Sequence, residues 1–250
     1  MMNLVKDEWV QNQNQLLSVG SNIEYLLQDQ TIIRTMYQSD YSLFSKEIEY
    51  LKTNHQMRLE ALFDAPVLSS ATLYDYKGIK LCPNDTHHLY HLCRYFSSIE
   101  KLNEQLDIVE WGGGYGNMAK VFSYCFSEYI GSYTIFDLPK MGEIQKNYLN
   151  RMSIEGVDLI DSTKLDCIEK AEDCSLFIST WALSECTTDT IDMVSGSNLL
   201  DKGVLVALHQ CGNHIPFFKE SSYLREILLK KGCIENDVAV ISGINSYLIK

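Results

Sequence analysis

A glycine-rich loop between an apolar segment and an amphipathic segment constrains the fold of this chain most strongly. The segment IVEWGGGYGN covers residues 108–117, and its glycines at 112, 114 and 116 have the spacing GxGxG. Glycine is needed where the backbone turns sharply and lets a ligand approach closely. Such a loop after a first parallel strand lies at the usual ligand-binding edge of an open α/β sheet. A tight turn without a ligand is the competing interpretation.

Short apolar runs alternate with amphipathic stretches from residue 106 onward. The runs are rich in Val, Ile, Leu and Phe without alternation, which is typical of parallel strands buried on both faces. Residues 233–250 predict a hairpin with a short Gly-Asn loop, so the last strand should be antiparallel. We therefore predict an α/β fold with a Rossmann-like sheet of seven strands. The apolar runs are DIVEW (107–111), SYTIFD (132–137), VDLID (157–161), SLFIST (175–180) and GVLVALH (203–209), with helices predicted at 118–129, 140–152, 188–200 and 216–231.

The first part of the chain has helical periodicity and little strand signal. Asn84 or Asp85 would cap a helix that precedes the first apolar run. We predict a helical N-terminal cap or substrate region over 1–105 and a ligand-binding domain over 106–250. Two sets of residues are predicted to share a helical face: Ile23, Leu26, Leu27 and Gln30, and then Phe44, Ile48, Leu51 and His55.

Two acidic residues accompany the glycine loop. Glu110 comes two residues before it, and Asp137 ends the second apolar run. A carboxylate in the position of Asp137 can accept hydrogen bonds from both hydroxyls of a ribose, although it could instead cap the following helix. The fingerprint for NAD is GxGxxG, and Asn117 stands where its last glycine would be. Together with the antiparallel last strand, this favours S-adenosylmethionine as the cofactor, with Glu110 near its amino group.

Three segments, VEWGGGYGN, YTIFDLP and ISTWALSE, resemble the sugar O-methyltransferases encoded in capsule and lipopolysaccharide gene clusters. The resemblance covers about residues 80–210. It implies a class I methyltransferase fold and S-adenosylmethionine-dependent methylation of a sugar hydroxyl, on a nucleotide-linked sugar such as a GDP-heptose, in surface polysaccharide biosynthesis. Two other functions stay open: methylation of another small phosphorylated or amine metabolite, and a non-catalytic module that binds S-adenosylmethionine.

The cofactor site is predicted from the loop and from the ends of neighbouring strands. Asp161 could equally be a solvated turn residue. The predicted cofactor-binding residues are Glu110, Gly112, Gly114, Gly116, Asp137, Leu138, Asp161, Ser162 and Thr180.

Methylation of a hydroxyl needs a base that takes its proton. Glu185 follows the fourth apolar run and His209 ends the fifth, so these two are the catalytic candidates. Glu185 could instead be favoured by a helix dipole, and His209 could be bonded to the backbone. Some sugar O-methyltransferases use magnesium, which needs several carboxylates on these loops. Only Glu185, Asp189 and Asp192 lie near the fourth run and the fifth ends without an acid, so we predict no metal. His87 and His91 likewise lack a third ligand in sequence. The predicted substrate contacts are Tyr115, Trp181, His87, Tyr90, Arg94 and His214.

Composition excludes some functions. The formal net charge is -12, and a nucleic-acid partner needs a basic surface instead. No apolar segment has the length of a signal sequence core or a membrane span, so we expect a cytoplasmic protein that binds no membrane. The eight cysteines form no CxxC pair, which indicates reduced thiols. The sequence leaves the oligomeric state open, with a homodimer as one expectation.

Overall fold

The structure is a computed structural model that describes residues 5–9, 11, 23–99, 104–164, 167–171, 173–209, 220–237 and 245–250. Within these residues, no helix has the length and apolar character that crossing a bilayer requires.

Three helices follow a 3₁₀ helix at Ile23–Gln28 in the N-terminal region. They are α1 (Gln30–Thr35), α2 (Tyr41–Asn54) and α3 (Gln56–Ala61). The aspartates at 29 and 40 cap α1 and α2, because each carboxylate accepts hydrogen bonds from two backbone N–H groups of the first turn. The predicted face of α2 is buried at Phe44, Ile48 and Leu51. Gln30 is exposed, because α1 is a separate helix and does not continue the face of Leu26 and Leu27.

A two-stranded hairpin, which the sequence analysis missed, follows these helices. Its strands β1 (Tyr74–Tyr76) and β2 (Ile79–Leu81) pair antiparallel. Lys77 and Gly78 have φ values of 53° and 84°, as a two-residue hairpin turn of type I′ requires. Helix α4 (Pro83–Ser98) starts directly after it.

Seven strands form the main sheet in the order β5-β4-β3-β6-β7-β9-β8. Strands β3 to β7 are parallel to one another. Strand β9 is antiparallel to both β7 and β8, as predicted. Residues 243–244 of the predicted Gly-Asn loop lie outside the described residues. The strands are β3 (Leu106–Trp111), β4 (Ile130–Asp137), β5 (Val157–Asp161), β6 (Leu176–Thr180), β7 (Gly203–His209), β8 (Ile234–Asp237) and β9 (Asn245–Ile249).

Helices connect the parallel strands. They are α5 (Asn117–Cys125), α6 (Pro139–Arg151), α7 (Thr188–Ser195) and α8 (Glu220–Lys230). Helix α7 is shorter than predicted, because the chain leaves the helix at Gly196. Gly232 follows α8 with a φ of 89°, the left-handed conformation that often ends a helix. The predicted start of this helix at Pro216 lies outside the described residues.

The N-terminal helices and one face of the sheet share a single buried cluster. It joins Leu51 of α2 and Leu89 of α4 to Ile108 and Ile135 of the sheet. A second cluster covers the opposite face, with Val194 of α7 in contact with it. The N-terminal helices therefore cover one face of the sheet, while the division at residue 105 stays a prediction.

A candidate active site at the carboxyl edge of the sheet

A cavity of about 490 Å³ lies where β3, β4 and β6 end and the glycine loop begins. Its size is in the range of small-molecule sites, which span about 300–1,000 Å³. The structure brings most of the predicted site residues to its wall. These are His87, Glu110, Gly112, Gly114, Tyr115, Asp137, Leu138, Ser162, Thr180, Trp181 and Glu185.

Two predicted cofactor residues do not line this cavity. Gly116 would direct a Cβ atom toward Leu149 and Tyr148 of α6. The Asp161 carboxylate accepts hydrogen bonds from the backbone N–H and the hydroxyl of Thr163, at 3.0 and 2.6 Å. The Asp161 side chain is thus bonded within its own turn. We leave both residues out of the proposed site.

Two predicted substrate residues on α4 are also away from the cavity. The Tyr90 ring is buried edge-on against Tyr50, with 5.0 Å between ring centroids, and the Arg94 guanidinium lies over the same Tyr50 ring. Both side chains leave the helix on the side that packs on α2. The side chain of His209 and the whole of His214 lie outside the described residues, so these two assignments stay predictions.

The glycine loop packs tightly against the turn that follows β6. Gly112 has a φ of 73°, and a Cβ atom there would lie 2.1 Å from the Cβ atom of Ala182. A side chain at this position would therefore push the two loops apart. At Gly114, with a φ of 56°, the atoms nearest to a Cβ belong to the flexible Met36 side chain, at 3.6 Å. The backbone of Gly114 is thus open toward the cavity.

Glu110 is a buried carboxyl at the end of β3, with 3% of its surface exposed. The Tyr133 hydroxyl donates a hydrogen bond of 2.9 Å to its Oε2 atom. Burial raises the pKa of Glu110 to about 8; the Tyr133 hydroxyl opposes this rise, and the nearby Asp137 charge adds to it. No cation from the described residues pairs with this carboxyl.

Asp137 ends β4 and is held in one orientation by α6. Its Oδ1 atom accepts a hydrogen bond from the Leu138 backbone, and its Oδ2 atom accepts one from Gln145 Nε2, both at 2.8 Å. The same Gln145 nitrogen donates to the Gly114 carbonyl at 2.8 Å, which ties the acid to the loop. Burial raises the pKa of Asp137 to about 7, although these hydrogen bonds oppose the rise.

One face of α4 lines the cavity through Asn84, His87 and His88. The prediction that Asn84 or Asp85 caps this helix is wrong, because Cys82 is at the cap position, and its side chain makes no hydrogen bond to the first turn. Asn84 instead accepts a hydrogen bond from the Gln38 backbone and donates one to the Tyr115 hydroxyl. Asp85 pairs with the buried Lys120 at 2.6 Å. These contacts fix α4 against the glycine loop and against α5.

His87 belongs to a buried chain of four hydrogen-bonded side chains. Its Nδ1 atom contacts Glu47, its Nε2 atom lies 3.0 Å from His91 Nε2, and His91 Nδ1 contacts the Tyr247 hydroxyl. The chain connects α2, α4 and β9. Among the described residues, no group of three His, Cys, Asp or Glu side chains could hold a metal ion.

Trp181 follows β6 in a strained backbone conformation, with a φ of 67°. Its ring is held by a hydrogen bond of 3.0 Å from Nε1 to Asn245 Oδ1 and by stacking on the His87 ring. Glu185 ends the 3₁₀ helix that follows, Ala182–Glu185. An aromatic ring and a carboxyl group therefore line the same part of the cavity wall.

Several lining residues escaped the sequence analysis. Lys6, Trp9, Arg34 and Met36 come from the first forty residues, and His88 comes from α4. Only the position of His88 could have been inferred, since residues 84, 87 and 88 share one helical face. The other contacts depend on how the N-terminal helices pack, which no local pattern encodes.

No protein-family model matches the sequence, and no curated protein matches it. Among solved structures, fibrillarin from Aeropyrum pernix, with natively bound S-adenosyl-L-methionine, has 10% identity and a TM-score of 0.50, over 76% of this chain and 86% of fibrillarin. A SAM-dependent methyltransferase from Aquifex aeolicus has 13% identity and a TM-score of 0.46, over 85% and 98% of the two chains. The fibrillarin likeness and the strand order identify the fold as the class I methyltransferase fold.

The raised pKa of Glu110 predicts how stability depends on pH. Its pKa is about 8 in the folded protein, above the ordinary value of 4.5, so its neutral form favours folding at low pH. This contribution declines as pH rises from about 4.5 to 8, by up to about 1.4 kcal/mol per pH unit. Glu110→Gln should therefore gain stability relative to the wild type between pH 5 and 8, measured by urea unfolding.

The exposed Glu226 provides the matched control. Glu226→Gln should follow the wild-type pH dependence. If the stability of Glu110→Gln also has the pH dependence of the wild type, the Glu110 carboxyl is ionised without cost in the folded protein. Its burial then does not raise its pKa.

Proposed function

We propose that the chain is an S-adenosylmethionine-dependent O-methyltransferase that acts on a sugar hydroxyl. The observation that carries the proposal is the meeting of Glu110, the glycine loop and Asp137 in one cavity of a class I methyltransferase fold. In this proposal, S-adenosylmethionine supplies an activated methyl group when bound.

The charge of the cavity supports this cofactor over NAD. Glu110 and Asp137 form no ion pair with a described residue, and a buried carboxylate is costly without a partner. S-adenosylmethionine has a sulfonium and an ammonium group, whereas NAD has a negative pyrophosphate. Asp137 would accept hydrogen bonds from the ribose, Glu110 would bind the ammonium group, and Ser162 would lie by the adenine.

The acceptor half of the proposal is a nucleotide-linked sugar, such as a GDP-heptose, used in surface polysaccharide biosynthesis. It is based on the resemblance of the segments around 108–117, 133–139 and 178–185. Trp181 supports it, because an indole face packs well on the apolar face of a sugar ring. Arg34 supports the nucleotide, since it is exposed at the cavity and forms no ion pair with a described residue, and a guanidinium binds phosphate in a bidentate manner.

Glu185 is the proposed base. Its carboxylate would accept the proton of the sugar hydroxyl while the oxygen attacks the methyl group in line with the bond to sulfur. The products are the methyl ether and S-adenosylhomocysteine, with the proton on Glu185. His209 is the second candidate for this role.

Turnover of a panel of nucleotide-sugars with S-adenosylmethionine tests the proposed function. We expect one or more panel members to gain the mass of one methylene group. The free sugars and small amines belong in the same panel, because a product only with an amine would replace the O-methyltransferase assignment. No product with any member, together with tight cofactor binding, would favour a non-catalytic module.

Glu185→Gln should lower kcat without changing cofactor affinity, because the ribose and adenine bind elsewhere. General-base catalysis contributes about 10²–10⁴-fold, so the loss should be of that size. The assay is turnover of the panel member found above, with cofactor affinity measured by calorimetry. Asp189→Asn is the control, because Asp189 lies in the first turn of α7 and not on the cavity wall.

A loss of less than a few-fold in Glu185→Gln would remove Glu185 as the base. His209→Asn would then be the next variant to measure.

A further inference from the structure

His88 is a cavity-lining residue without a role in the reaction described above. It is half-buried and lies on the same face of α4 as Asn84. Its ring touches the side chain of Asn117, the first residue of α5, directly after the glycine loop. His88 therefore lies next to the loop along which the cofactor would extend.

Two hydrogen bonds determine which nitrogen of His88 holds the proton. The Tyr148 hydroxyl donates to Asn117 Oδ1 at 2.6 Å, which leaves the amide Nδ2 atom of Asn117 facing His88 Nδ1 at 3.1 Å. An amide nitrogen can only donate, so His88 Nδ1 accepts and the proton is on Nε2.

The His88 ring is also uncharged. Burial lowers the pKa of His88 to about 3, the neighbouring His87 and Lys120 lower it further, and a hydrogen bond to the Asn117 backbone opposes the fall. A neutral ring with its proton on Nε2 is a hydrogen-bond donor at neutral pH. It cannot act there as a base, because its remaining lone pair is used by Asn117.

The proposed cofactor has one anionic group that needs such a donor. With the ribose at Asp137 and the ammonium group at Glu110, the carboxylate of the methionine tail cannot be bound by either acid. An uncharged N–H donor in the cavity wall formed by α4 fits this carboxylate as a hydrogen-bond donor.

We propose that His88 binds the carboxylate of the cofactor's amino-acid tail through its Nε2–H group. This inference rests on the proposed function, since it assumes S-adenosylmethionine in the cavity. It makes Asn117 and Tyr148 positioning residues that hold the His88 proton on Nε2.

Two probes separate the tail from the rest of the cofactor: S-adenosylhomocysteine, which has the amino-acid tail, and 5′-methylthioadenosine, which lacks it. His88→Phe keeps the ring and removes the donor. It should weaken the binding of S-adenosylhomocysteine about 10- to 100-fold, as expected for the loss of a hydrogen bond to a charged group. The affinity for methylthioadenosine should change by less than about twofold. His88→Gln, which retains an amide donor, should restore most of the affinity, measured by calorimetry.

Equal loss of affinity for both probes would overturn the inference, because it would show a general disturbance of the site. Unchanged affinity for both probes would overturn it as well. A wild-type protein that binds neither probe would refute the proposed cofactor itself, which is a separate result.

Nitrogen-15 NMR of the wild-type protein tests the inference without any variant. The Nε2 atom of His88 should be protonated in the free protein, and its signal should move when S-adenosylhomocysteine binds but not when methylthioadenosine binds. A proton on Nδ1 would contradict the inference. Tyr148→Phe should shift the His88 proton toward Nδ1 and weaken the binding of S-adenosylhomocysteine but not of methylthioadenosine. A merely structural role of Tyr148 would not produce this effect.

Discussion

Two carboxyl groups at the same edge of the sheet, the buried Glu110 and the half-buried Asp137, impose the main constraint on this structure. Glu110 and Asp137 end neighbouring parallel strands, and burial raises the pKa of both. Without a ligand, their ionised forms destabilise the fold, because no described cation compensates them. Such costs are typical of functional sites, where perturbed carboxyl groups recur. The cavity is thus prepared for a ligand that donates hydrogen bonds and brings positive charge.

The N-terminal helices complete this cavity and are tied to the sheet by polar contacts. Asn84 connects Gln38, which follows α1, to Tyr115 in the glycine loop. The hydrogen-bonded side chains from Glu47 to Tyr247 connect α2 to β9. Buried polar networks with most groups satisfied favour one arrangement of the elements they join. The helices should therefore set the shape of the acceptor end, where His87 supports Trp181.

The sequence was sufficient to predict the sheet and the position of Glu110 and Asp137 at its carboxyl edge. The five apolar runs, Glu110 and Asp137 form local patterns, and parallel strands bring their carboxyl ends together whatever the loops do. The hairpin at Tyr74–Leu81 was missed, although its alternating residues around Lys-Gly are a readable signal. Tyr90 was placed in the site because only its helix, and not the rotation of that helix, could be inferred.

The rest of the cavity wall was less predictable, because it comes from distant parts of the chain. Met36 contacts Gly114 only because α1 packs across the loop, and the contact of His88 with Asn117 depends on how α4 packs beside α5. Contacts of this kind depend on tertiary packing and leave no periodic trace in the sequence. Trp181 is intermediate: its position after β6 was predicted, but its strained backbone was not.

The central claim is that Asp137 binds the ribose of an adenosine cofactor. Its most direct test is calorimetric titration of the wild type and Asp137→Asn with S-adenosylhomocysteine and with 5′-methylthioadenosine, which both contain the ribose. The account predicts tight binding of S-adenosylhomocysteine to the wild type and a loss of about 1.5–3 kcal/mol for both ligands in the variant. Unchanged affinity in a folded Asp137→Asn protein would contradict it.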